Sequence, residues 1–102
     1  MWRVVHKDGA VVRHGQGQDN AEIKRLRHGE VVFPAGTVEN VPWHLFKWDA
    51  MKQERVVSVW TTMPRLCIWL GGGEEQIKGY VTVEATLAGG PVFLRADADF
   101  PV

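Results

Sequence analysis

Turn-forming residues cut this chain into short apolar runs, and no other feature limits its fold so tightly. Trp2-Arg3-Val4-Val5-His6 alternates as a strand does, with Trp2 and Val4 on one face and Arg3 and Val5 on the other. Lys7-Asp8-Gly9 signals a hairpin, since Asp-Gly supplies the positive φ of a tight turn, and Ala10-Val11-Val12-Arg13 reads as the returning strand. A polar, glycine-rich loop follows from His14 to Asn20. Ala21, Ile23 and Leu26 fit a short strand or one helical turn, and Glu30-Val31-Val32-Phe33 reads as a strand closed by Pro34. Arg55-Val56-Val57-Ser58-Val59-Trp60-Thr61 and Arg65-Leu66-Cys67-Ile68-Trp69-Leu70 are two further strands, parted by Met63-Pro64. Gly71-Gly72-Gly73-Glu74-Glu75-Gln76 is a flexible turn, Tyr80-Val81-Thr82-Val83-Glu84 a strand, and Pro91-Val92-Phe93-Leu94 the last one. The tail 96–102 is expected to fray. Some six to eight short strands with turns roughly every eight to twelve residues describe a mostly all-β chain, a small barrel or sandwich.

The 41–52 segment breaks this rhythm. Trp43, Phe46 and Ala50 fall on one helical stripe and Pro42 suits a first helical turn, so the spacing predicts a short helix or structured loop.

The 102 residues allow one domain, and 45% apolar with 24% charged residues is a globular composition. Twelve basic and twelve acidic side chains cancel, removing the electrostatic signature of a nucleic-acid binder. Lys24-Arg25-Leu26-Arg27 and Glu74-Glu75 are short enough to be solvated faces. Cys67 is the one cysteine, so an intrachain disulfide is impossible. Arg3, His6, Lys7 and Asp8 interrupt any leader-like apolar stretch, and no apolar run approaches the roughly 20 residues of a membrane span. An intracellular, cytoplasmic chain is the resulting expectation.

Val11-Val12-Arg13-His14-Gly15, followed by Ile23, Leu26 and Gly29 before Val31-Val32, resembles the first half of a bacterial-type SH3-like (SH3b) domain, with its Val-Arg-x-Gly element and a glycine opening the next strand. Gly79-Tyr80-Val81 resembles that family's later Gly-aromatic-Val element. The likeness covers residues 1–33 and 65–94. It implies a closed SH3-like barrel with Val11, Ile23, Leu26, Val31, Ile68 and Val81 pointing inward, and a loop or short helix within an insertion at 34–64. It also implies non-catalytic recognition of a protein, a peptide or cell-wall polymer.

Chemistry-bearing patterns are sparse. His6, His14, His28 and His44 lie in separate segments without metal-ligand spacing. Cys67, between Leu66 and Ile68, has no identifiable base, and Gly71-Gly72-Gly73 lacks the lysine of a phosphate-binding loop. No catalytic residue, metal or cofactor is therefore expected, although a small thiol enzyme using Cys67 is the remaining enzymatic alternative. The five tryptophans are the unusual feature. Trp2, Trp60 and Trp69 are expected to fill the barrel ends. Trp43, His44, Phe46, Lys47 and Trp48 form the expected contact surface for a protein or peptide partner, an aromatic cluster edged by charge. A structural subunit packing its 34–64 span into a neighbour is the alternative from another class.

Overall fold

The computed structural model describes residues 1–71 and 77–97. Its strands are β1 (Trp2–Val4), β2 (Ala10–Arg13), β3 (Glu22–Leu26), β4 (Val31–Pro34), β5 (Glu39–Asp49), β6 (Glu54–Trp69), β7 (Lys78–Thr82) and β8 (Leu94–Ala96). One 3₁₀ turn, Thr86–Ala88, lies between the last two. The strands form an antiparallel sheet in the order β3-β2-β7-β6-β4-β1-β8, with β5 joined to β6 on the edge that β4 also uses.

Alternation puts one face of this sheet in the core. Val4, Val12, Leu26, Leu66, Ile68, Val81 and Leu94 are no more than 1% exposed, and they pack as one cluster with Val32 and Val83. Residues from both terminal strands of the order, Leu26 of β3 and Leu94 of β8, meet in that cluster, so the sheet must curl around it. β3 and β8 share no ladder, and the expected closed barrel is instead an open, curled sheet. Gly79 carries no side chain because a Cβ there would stand 2.3 Å from Val12 Cγ1 in the core.

Several expectations need correction. The turn at Lys7-Asp8-Gly9 forms, with Gly9 N–H donating to the His6 carbonyl at 3.0 Å, but β1 and β2 do not pair. β1 joins β4 and β8, while β2 joins β3 and β7, so the turn is a corner and not a hairpin. Val12 and Val32 point into the core where Val11 and Val31 were expected, because a Val-Val doublet satisfies alternation in either phase. Ala96 pairs with Trp2, and Arg3 Nη2 meets the Asp97 carboxylate at 2.8 Å, so the start of the tail is tied down. The expected turn over 72–76 and the tail over 98–102 lie outside the described residues.

The largest correction is at 41–52. It is strand, the outer half of a hairpin in which Glu39 through Asp49 pair with Arg65 through Glu54. Met63-Pro64 does not divide β6 either. Pro64 lies opposite Asn40, and its carbonyl accepts from Val83 N–H at 2.8 Å on the opposite edge. In an antiparallel strand a residue's N and C=O face the same edge, so the missing N–H of Pro64 is lost from the β7 side and not from the ladder with β5. Pro42, two residues from Asn40, has the same parity and turns its missing donor to the free edge of β5.

Candidate functional site

The β5–β6 hairpin runs well past the body. Beyond the Val41–Met63 pair it continues for eight more residues of β5, roughly 25 Å at a strand's rise per residue. The molecule accordingly measures 53 × 29 × 22 Å. Among the described residues, none between Phe33 and Arg65 belongs to the core cluster, so this arm is an addition to a body that is already packed.

Register divides the arm into two faces. His44, opposite Trp60, shares a face with Phe46 and Trp48. His44 packs edge-on against Trp60 and lies 6.0 Å from the Phe46 ring, centroid to centroid. Phe46 is 47% exposed, Trp48 63%, Trp60 63%, and Met51 at the tip 97%. Rings so large normally avoid water. Trp43, Leu45 and Lys47 occupy the other face with Val59, Met63 and Arg65.

Of the five expected contact residues, then, the structure brings His44, Phe46 and Trp48 together and separates Trp43 and Lys47 from them. Trp60 was expected in a barrel end and is instead a central, exposed member of the aromatic face. Trp2 does pack against the core, and Trp69 is half-buried beneath the Lys78 ammonium, 4.8 Å from its ring centroid. The signal for the aromatic face was present as Pro42, His44, Phe46 and Trp48 at every second position, a strand period.

The arm is anchored where it leaves the body. The Gln18 side chain takes the place of a neighbouring strand on the edge of β5: its Nε2 donates to the His44 carbonyl at 2.7 Å, and its Oε1 accepts from His44 N–H at 2.9 Å. Arg65, only 2% exposed, donates to the carbonyls of Gln16 at 3.2 Å, Gly15 at 3.4 Å and Tyr80 at 3.3 Å. It also donates to Thr82 Oγ1 at 2.6 Å, and its guanidinium carbon lies 5.2 Å from the Trp43 ring centroid. Arg65 thus staples the 14–20 loop, the arm root and β7 together. Nothing in the sequence distinguished it from other strand arginines.

The remaining motif residues take structural places. Ile23 packs against the core, Leu26 and Val81 lie within it, and Gly29 holds φ +85 at the turn before β4. Arg13 lies on the outer face of β2 and donates to the Asn20 carbonyl at 3.1 Å. Tyr80 lies opposite Cys67, and a hydrogen bond to that residue, together with its charge, raises the phenol above its ordinary pKa of 10.0. The hollow beside Cys67 is lined by Tyr80, Lys78 and Glu39 among others, and by no histidine. His6 stacks edge-on against Phe93, and among the described residues no three His, Cys, Asp or Glu side chains converge as a metal site. No helix among the described residues is long and apolar enough to cross a membrane.

With this geometry established, the chain was set against known proteins. No protein-family model, curated protein or solved structure matches it.

Proposed function

We propose that this chain is a non-catalytic binding and assembly module that engages a protein partner through the aromatic face of its β5–β6 arm. The observation that carries this reading is that Phe46, Trp48 and Trp60 stand exposed on one face of an arm none of whose described residues joins the core cluster. Tryptophan and its aromatic neighbours are the residues that concentrate binding energy at protein interfaces. Among the described residues no strand lies beside the edge of β5 beyond His44, so a partner can add main-chain hydrogen bonds to the aromatic contacts. Packing of the arm into a neighbouring subunit is one form of the same engagement, and the elongated shape suits it.

The SH3-like resemblance is part of this proposal. Burial of Leu26, Ile68 and Val81 and the left-handed Gly29 support it, while the open sheet and the long arm depart from it.

The test is a photo-crosslinking amino acid placed at Trp48, with the same group at Lys47 on the opposite face as the control, in cells of the source organism. Adducts at 48 exceeding those at 47, and lost when Trp60→Ala is added, are expected. Trp48→Ala with Trp60→Ala should leave unfolding stability within about 1 kcal/mol, as for surface changes. Equal crosslinking from the two faces, or a loss of several kcal/mol in the double variant, would overturn the reading.

A further inference from the structure

A cleft of about 260 Å³ lies at the elbow where the arm meets the body, and Arg13, Arg65, Trp43, Met63, Phe93 and Val81 are among its walls. Among the described residues no aspartate or glutamate lines it. Arg65 makes all its hydrogen bonds to neutral oxygens, and Arg13 donates to the Asn20 carbonyl. The acids opposite them in register are engaged elsewhere: Glu39 beside Arg65 accepts from the Gln16 side chain, and Glu22 beside Arg13 meets Arg25 at 3.8 Å. Neither arginine belongs to an ion pair among the described residues. Two guanidinium charges therefore share one apolar-walled cleft without a counter-anion among the described residues, an arrangement that desolvation and like-charge repulsion both oppose. Burial first, and the charge of Arg13 second, lower Arg65 from its ordinary value to about 10.

The chemistry of the occupant follows from the walls and the size. At about 260 Å³ the cleft is below the roughly 300–1,000 Å³ of small-molecule pockets, so it accepts a group about one residue large. The arginines call for an anion, and Trp43, Met63, Phe93 and Val81 call for an apolar group beside it. Inorganic phosphate supplies only the first. An internal Asp or Glu carries its carboxylate on a short stem and brings chain past the cleft in both directions. A C-terminal apolar residue carries a carboxylate and an apolar side chain on one Cα and brings chain in from one side. We infer that the elbow cleft binds the C-terminal carboxylate of a polypeptide ending in an apolar residue, with Arg13 and Arg65 facing the carboxylate and Trp43 and Phe93 holding the side chain. The cleft is separate from the exposed aromatic face, and the inference does not depend on that face binding a partner.

Titration of ¹⁵N-labelled protein with three probes tests it: acetyl-Gly-Gly-Leu with a free carboxylate, the same peptide amidated, and inorganic phosphate. The acid is expected to shift the Arg13 and Arg65 Nε–H and Trp43 indole signals saturably, with the amide and phosphate at least about tenfold weaker. Arg13→Gln is expected to weaken the acid about tenfold, whereas Lys52→Gln, which removes the same charge at the arm tip, leaves it unchanged. The arginine signals of each variant also report whether the fold is retained, which keeps loss of binding apart from loss of structure. Amide binding as strong as the acid, phosphate binding as strong as the peptide, or equal effects of the two charge removals would overturn the assignment.

Discussion

Gly29 carries φ +85 at the turn into β4, and its N–H donates to the Val4 carbonyl at 2.8 Å. A Cβ built there meets nothing within 4 Å, so a substitution strains the backbone and nothing else. Gly29→Val is expected to cost about 1–3 kcal/mol, the range for a β-branched residue held in the left-handed region, with Gly29→Asn costing less. The midpoint of denaturant unfolding measures this directly. Tyr80 offers a second measurement, because it is the one tyrosine in the chain and its ionisation can be followed by absorbance without ambiguity. Its interaction with the Cys67 side chain raises the phenol, so the midpoint should lie above 10.0. Cys67→Ala is expected to move it back toward 10.0. The folded state holds the phenol's proton more tightly than the unfolded chain, so this contribution to stability is complete below pH 10 and is lost as pH rises through the folded value.

At the scale of elements, the β5–β6 hairpin is where sequence and structure diverge most. Short strands were legible because Val, Ile and Leu alternate between turn residues, and Leu26, Ile68 and Val81 are buried as the pattern requires. The phase of a strand was not legible where doublets such as Val11-Val12 made both faces apolar. Partner choice was not legible either, since Asp8-Gly9 announces a turn without saying whether the strands it joins will pair. Pro42 and Pro64 carried the main misreading. Each marks a break or a helix start when judged alone, yet both fall at positions of this hairpin that need no N–H toward the partner strand. That parity exists only once the register is set, so tertiary pairing decided it. The aromatic residues of the site were visible in the sequence, whereas their division between two faces, and the part played by Arg65, required the fold. Because no described residue of 46–58 belongs to the core cluster, replacing residues 46–58 with Asn-Gly, a two-residue turn between Leu45 and Val59, should leave the body folded. Its unfolding free energy is expected to stay within about 1 kcal/mol of the parent by denaturant titration. A loss of cooperativity would mean that the arm is part of the folding unit.

The whole molecule is a small curled sheet with a lever attached. Its radius of gyration, 15.0 Å, exceeds the roughly 13 Å of a compact domain of this length. Arg65 and Gln18 hydrogen-bond the base of the lever to the body. The exposure of its aromatic face has a colloidal consequence. Twelve positive and twelve negative side chains cancel, and the isoelectric point is near 6.9. At neutral pH no net charge holds copies of the molecule apart, so attraction between bare aromatic faces acts unopposed and solubility is lowest there. The proposed partner, by covering the arm, would also keep the protein in solution.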